Sequence, residues 1–306
     1  MLDLRRLKYF VVTADELHFG RAAEKLHIAQ PPLTRQITAL ERDLGIRLFD
    51  RTSRAVTLTA EGSLFLHQAR KVLAQVEHAE RVAQRARSGA MGNLDIGYAS
   101  SIPLSDMFSG LVQQYAQSRP NVTLGFSEMS SSRQIDALLD GSLDVGFIRP
   151  TGNILPSGIQ ALRLNVEPFI AVLNADHPLA SSEFIDVRQL ASEPFILFPP
   201  GFGSGLYDQL LQICADANFI PAVGAVAQQM TTIIALVAAG QGVSIVPASV
   251  RAIMRSGIRY IPLAGVRQQA EVALIYRNTE QSGAVRSFIE FAGDAAAHFE
   301  STQRTP

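Results

Sequence analysis

Glutamine, threonine, arginine and two prolines crowd the stretch Gln30-Pro31-Pro32-Leu33-Thr34-Arg35, at the start of an apolar-periodic segment. An arginine at a helix start can bond guanine with two donors or clamp a phosphate. Gln30 and Thr34 can contact base edges or phosphate oxygens. The ordinary alternative for Arg35 is a solvated helix arginine, and that alternative is stronger for Arg42, further along. Behind this face Leu33, Ile37, Leu40 and Leu44 recur at helical spacing, so one stripe turns to a core. At about 100° per residue, Pro31, Arg35, Thr38 and Arg42 fall on the opposite side. Proline is tolerated in a first helical turn, and Gly45 follows the stripe where a helix end favours glycine. A shorter apolar-periodic segment precedes it, with a break at Ala29-Gln30. The pair predicts a helix-turn-helix whose outward face suits a major groove. Arg51 and Arg54 lie between short β-favouring runs, 47–49 and 55–58, which predicts a wing touching backbone or minor groove.

The elements that must hold this face can be read on both sides of it. Residues 4–17 predict a first helix with Leu4, Leu7, Phe10, Val11 and Ala14 turned inward, completing a unit over 1–58. Thr59 then caps a long helix over 59–88, and Glu61 in its first turn suits the helix dipole. Leu66, Ala69, Leu73, Val76, Ala83 and Ala86 form a narrow apolar seam along it. A helix of about 40 Å cannot bury that seam on so small a unit. Either a second copy of the same helix covers it, or the rest of the chain does.

The 306 residues suffice for two or three compact units, and the net charge of −1 conceals an asymmetry. Residues 1–90 carry 15 Lys and Arg against 10 Asp and Glu, whereas residues 91–306 carry 12 against 18. A basic end on an acidic body fits a nucleic-acid-binding module attached to something else. Cys214 is the only cysteine, so intramolecular disulfides and Cys-rich zinc sites are excluded. It lies in LLQICADA, an apolar helical run, as a small buried hydrophobe. No run of about 18 apolar residues exists, and the start MLDLRRLKYF lacks a signal-peptide pattern, so a cytoplasmic location without a membrane partner is expected.

From Asn93 onward strands and helices alternate. LDIGY, VTLGF, LDVGFI, PFIAVL, FILF, AVGAV, GVSIVP, IRYIPL and EVALIYR read as strands; helices are expected over 104–117, 134–139, 206–217, 231–239 and 284–299. The alternation predicts an α/β body, 91–306, with mainly parallel sheets. A ligand in such a body belongs at strand C-termini and helix N-termini. Ser100 and Ser101 follow LDIGY, and Ser130 and Ser131 precede a helix; both places offer donors to a carboxylate, or simply cap their helices. Arg149 ends LDVGFI as a counter-charge to an acidic ligand or as a structural ion pair. Phe202, and Met230 before a helix, offer an apolar wall for a ring or diene, with core packing the alternative for Met230.

Enzyme readings find little. GFGSG at 201–205 is neither G-x-S-x-G nor G-x-G-x-x-G. The six histidines are scattered without an H-x-x-x-H pair, so neither a catalytic constellation nor a metal site is expected.

RAAEKLHIAQPPLTRQITALERDLGIRLFDR resembles the N-terminal signature of the LysR-type transcriptional regulators. The similarity runs through the wing to Thr59-Ala60-Glu61-Gly62 and, more loosely, through LDVGFIR and LVAAGQGVSIVPAS over nearly the whole chain. QPP and VAAGQGVSIVPAS are most similar to the subgroup controlling aromatic-acid and catechol catabolism. The resemblance implies an all-α winged helix-turn-helix with a long linker helix, followed by a two-lobed α/β domain like the periplasmic solute-binding proteins. The chain would cross near 165–167 and return near 266–270, making lobe I of about 91–164 with 268–306 and lobe II of about 165–267, with a hinge between them. It further implies dimers through the linker helix, a homotetramer on double-stranded promoter DNA, and RNA polymerase as a partner. An activator of a nearby operon that represses its own gene is expected, with no cofactor beyond a small-molecule co-inducer. In that subgroup the positions matching Ser101, Ser131, Phe202 and Met230 line the effector site, although around Phe202 this chain departs from the pattern. Together with the serine pairs and Arg149, this points to an aromatic carboxylate or a muconate-like dicarboxylate. The rival readings are a solute sensor whose helix-turn-helix binds protein, an enzyme with its site in the cleft, and an architectural DNA binder with an inert body.

Overall fold

The computed structural model describes residues 3–51, 56–88, 92–150, 155–200, 205–279 and 283–303, and of residues 51, 77–78, 81–88 and 298–303 the backbone alone. The chain divides into two units, residues 1–87 and 88–306.

In the first unit, α1 (Leu4–Glu16) starts where the Asp3 carboxylate accepts from the Arg5 N–H, 2.9 Å away. Its buried face is Leu7, Phe10, Thr13 and Ala14. Leu4, expected on that face, is 44% exposed because it sits one turn outside the stripe that begins at Leu7. His18 caps α2 (Phe19–Lys25), its Nδ1 accepting from the N–H groups of Gly20 and Arg21. α3 (Gln30–Leu44) follows extended Ala29 and buries Leu33, Ile37 and Leu40. Gly45 ends it at φ 70°, where the N–H groups of Gly45 and Ile46 reach the carbonyls of Arg42 and Glu41. That left-handed turn favours glycine. β1 (Phe49–Arg51) and β2 (Val56–Leu58) pair antiparallel as a wing.

α4 (Ala60–Ser88) is fastened to this wing. Thr59 Oγ1 accepts from the Gly62 N–H at 2.8 Å and donates to the Arg47 carbonyl at 2.7 Å. Gly62 packs so close that a Cβ there would lie 2.1 Å from the Leu48 carbonyl oxygen. Ala69 is buried in the unit's own core, with Phe65, Leu66 and Leu73 packed against it, so the first half of the seam is covered within the unit. Leu64 and Val72, by contrast, are exposed.

The second unit runs β3 (Asn93–Tyr98), α5 (Asp106–Ser118), β4 (Thr123–Glu128), α6 (Ser131–Leu139), β5 (Val145–Ile148), β6 (Ile159–Asn174), β7 (Ile185–Asp186), β8 (Pro194–Leu197), α7 (Gly205–Asp216), β9 (Ala222–Val226), α8 (Met230–Ala238), β10 (Ser244–Pro247), β11 (Ile258–Ala264), β12 (Gln269–Arg277) and α9 (Gly283–Gln303). Two large hydrophobic cores mark two lobes, with a smaller cluster of Leu138, Leu143, Ile148 and Ile275 beside the first. One gathers Ile96, Phe108, Tyr115, Phe147, Leu274 and Phe288 under α5 and α9. The other gathers Ile170, Val172, Phe195, Leu210, Ile234 and Val246 between α7, α8 and their strands.

β6 serves both lobes. Its first part pairs with β12, and its last part with β10 and β11. The strand read as PFIAVL therefore begins earlier, at Ile159. The expectation of mainly parallel sheets is corrected in the same region. β3 is parallel to β4 and β5, and β8 to β9, but β12 runs antiparallel to β5 and β6, and β10 and β11 antiparallel to β6. The outgoing and returning strands lie side by side, with Glu167 opposite Ala270, and a chain that leaves a lobe and comes back beside itself must do so antiparallel. No helix among the described residues is long and apolar enough to cross a membrane.

Candidate DNA interface and ligand cleft

In the first unit the predicted outward face of α3 is open. Gln30, Pro31 and Arg35 are exposed, and Pro32 and Thr34 are partly covered. Thr34 Oγ1 donates to the Gln30 carbonyl at 3.2 Å, back-bonding within the first turn. Behind this face Arg6 of α1 donates to Gln36 at 3.0 Å and pairs with Asp43 at 2.5 Å, tying α1 to α3. Arg42 is solvated, 3.7 Å from Asp43. Arg51 belongs to β1 rather than to a loop. Its side chain and the whole of Arg54 lie outside the described residues.

In the second unit a cavity of about 260 Å³ is lined by residues from both lobes. Lobe I supplies Ser100 beyond β3, Glu128 at the end of β4, and Ser130, Ser131 and Arg133 at the start of α6. Lobe II supplies Phe198 after β8, together with Gln228 and Gln229, which lead into α8. Of the predicted residues, the cavity thus gathers Ser100, Ser130 and Ser131.

The start of α6 is built for positional accuracy. Ser130 caps it, its Oγ accepting from the Arg133 N–H at 3.4 Å. Gln134 Nε2 donates to the carbonyls of Met129 and Phe147, both at 3.1 Å, pinning the helix start to β5. Gly146 leaves room for this amide, since a Cβ there would lie 2.5 Å from Gln134 Oε1. Ser131 is 4% exposed, and its hydroxyl has no hydrogen-bond partner among the described residues. A buried hydroxyl without a partner is costly unless something else satisfies it. Across the cavity α8 begins without a side-chain cap.

Ser101, Arg149 and Met230 are absent from the lining. Arg149 is 1% exposed and closed on every side. Its Nη2 lies 2.6 Å from Glu167 Oε1, its Nε donates to Ser101 Oγ at 3.2 Å, and its Nη1 donates to the Ala270 carbonyl at 3.3 Å. Glu167 in turn accepts from the Ser249 N–H at 2.5 Å and the Ser249 hydroxyl at 2.9 Å. Burial pushes the Arg149 pKa down and the Glu167 carboxylate pushes it back, and a guanidinium so paired stays charged. Met230 is 1% exposed in the core of lobe II. Phe202 lies outside the described residues.

Glu128, Arg133, Phe198, Gln228 and Gln229 were missed in the sequence. The rule that drew attention to the serines, strand ends and helix starts, applies to all five once it is used at every strand rather than at serine clusters alone. Among the described residues no group of His, Cys, Asp and Glu side chains could hold a metal ion.

Residues 4–63 match the bacterial regulatory helix-turn-helix protein, lysR family, and residues 87–297 match the LysR substrate binding domain. The chain is 41% identical to the uncharacterized HTH-type transcriptional regulator YnfL of Escherichia coli (strain K12), over 94% of this chain and 96% of that one. The crystal structure of CbnR, a LysR family transcriptional regulator, superposes with a TM-score of 0.76 at 29% identity, covering 96% of this chain and 99% of CbnR. Full-length CbnR complexed with its target DNA gives 0.74, covering 96% and 100%. The BenM effector binding domain with its effector benzoate gives 0.59 at 26% identity, covering 68% of this chain and 94% of that one. An exposed recognition face on a helix-turn-helix, a two-lobed body with a cleft lined from both lobes and these matches have one reading: the chain belongs to the LysR family, as a DNA-binding transcriptional regulator with an effector-binding domain.

Proposed function

We propose that this regulator senses a small carboxylate in the cleft between its lobes and changes its grip on promoter DNA when the ligand binds. The observation that carries the reading is the Ser131 hydroxyl, buried and unpartnered at the start of α6 beside the cavity. A helix N-terminus offers free N–H groups and a positive dipole end, and a hydroxyl beside it adds a donor. A carboxylate satisfies all of them. An aromatic carboxylate or a muconate-like dicarboxylate is the ligand class, supported by Phe198 as an apolar wall and by benzoate in the similar BenM domain.

The functional divisions are 1–58 for DNA reading, 59–88 for pairing of subunits, and 91–306 for sensing. Gln30, Pro31, Pro32, Thr34 and Arg35 meet the major groove, and Arg51 and Arg54 the backbone or minor groove. Exposed Leu64 and Val72 favour pairing of α4 with a second copy, giving a homodimer and then a homotetramer on DNA. In the cytoplasm the assembly activates a nearby operon through RNA polymerase and represses its own gene. Ser100, Ser130 and Ser131 hold the ligand, while Ser101 and Arg149 act behind them as positioning residues. The mechanism is a population shift: a ligand that prefers one lobe arrangement biases the spacing of the recognition helices. Moving from mostly one state to mostly the other takes about 5 kcal/mol of differential binding.

Thermal stabilisation of the full chain by a panel of aromatic acids, muconate-type dicarboxylates and neutral analogues tests this reading. Stabilisation by acids that is lost in Ser131→Val is expected. A flat panel at millimolar concentration contradicts the carboxylate assignment.

A further inference from the structure

We infer that the cleft selects a monocarboxylate carrying hydrogen-bond donors of its own, hydroxyl or amino, over a dicarboxylate. The inference rests on the cleft being the effector site and narrows its ligand by charge. Arg149, the cation at the end of β5, is spent: its partner is Glu167, the pair is neutral, and neither the guanidinium nor the carboxylate lines the cavity. The ionisable side chains that do line it are Glu128 and Arg133, one of each sign. Among the described residues neither is engaged in an ion pair, and both are exposed.

What remains is the field of the two helix starts, α6 and α8. Each contributes roughly half a positive charge. Together they balance one carboxylate. With Arg133 offset by Glu128, a second carboxylate would enter a cavity whose net positive charge is already matched, and would face the acceptor oxygens of Glu128. Those oxygens call for a donor from the ligand instead. At about 260 Å³ the cavity lies just below the range of about 300–1,000 Å³ typical of pockets for drug-sized molecules, which suits a single ring or a short chain against Phe198.

Calorimetric titration of the full chain with benzoate, 3-hydroxybenzoate, 3-aminobenzoate and cis,cis-muconate tests the inference, in the native protein and in Glu128→Gln. The hydroxy or amino acid is expected to bind at least about tenfold tighter than muconate. Glu128 is exposed, so its replacement leaves the fold intact, and the ratio should shrink at least about threefold. Muconate binding as tightly as the donor-bearing acids, or an unchanged ratio in Glu128→Gln, overturns the inference and leaves the effector reading standing. Failure of all four acids to bind at millimolar concentration overturns both.

Discussion

Arg149 Nη2 lies 2.6 Å from Glu167 Oε1, and this one contact joins the end of β5 to the strand that passes from lobe to lobe. Ser249, from the 3₁₀ turn after β10, closes the other side of Glu167, so a single buried carboxylate gathers both lobes. Removing one member of a buried pair leaves the other charge uncompensated, which costs about 3–5 kcal/mol. Glu167→Gln is therefore expected to lower the unfolding free energy of the second unit by roughly that amount. Arg149→Met paired with Glu167→Leu should recover most of it, because neither charge remains buried. Chemical unfolding of the native protein and the two variants decides the matter; a Glu167→Gln protein within about 1 kcal/mol of native would contradict the assignment.

Arg35 is exposed on α3, and its replacement should leave stability alone while weakening operator binding. The expected loss for Arg35→Ala is about 1–3 kcal/mol, read by fluorescence anisotropy at fixed salt. Unchanged affinity would remove Arg35 from the readout.

How much of this could be read in the sequence depended on how local the cause was. The helix-turn-helix was legible because Leu33, Ile37, Leu40 and Gly45 set the stripe and the stop of α3 within one segment. β6 was legible only in its PFIAVL half. Its first half mixes Gln160, Arg163, Asn165 and Glu167 into the pattern, and its strand partner is β12, about a hundred residues away in the sequence. The fate of Arg149 was open for the same reason: its partners Glu167, Ser101 and Ala270 come from three distant segments. Met230 begins a helix and looked available for a cleft, but at that position the side chain turns into the lobe II core. Phe198 was overlooked because FILF reads as uniform core strand.

Gly62 sits against the Leu48 carbonyl with no room for a methyl group. Gly62→Ala must push α4 away from the wing, an overpacking cost of about 1–3 kcal/mol. A lowered melting temperature of the first unit is expected, with weaker operator binding because the wing shifts. An alanine variant as stable as native would contradict the close approach.

Burial pushes the Cys214 thiol from its ordinary 9 up to about 12, and the Tyr260 hydroxyl from 10 up to about 12. Both values are raised in the folded state, so the native chain keeps protons that the unfolded chain releases. Their contribution to stability is whole below about pH 9 and is lost as the pH climbs towards 12. The melting temperature should fall across that alkaline window. The thiol should also resist a disulfide reagent at pH 8 until denaturant is added, since the thiolate is the reactive form. Prompt labelling of the native protein would place Cys214 at the surface.

We propose that occupancy beside Ser131 alters the grip on DNA. The most direct test is the operator binding isotherm of the full chain with and without saturating 3-hydroxybenzoate, for the native protein and Ser131→Val. Native protein should change its operator affinity at least about fivefold on adding ligand. Ser131→Val should bind the operator as the native protein does without ligand and respond to ligand far less. A ligand that binds the native protein yet leaves its operator isotherm unchanged would contradict the claim.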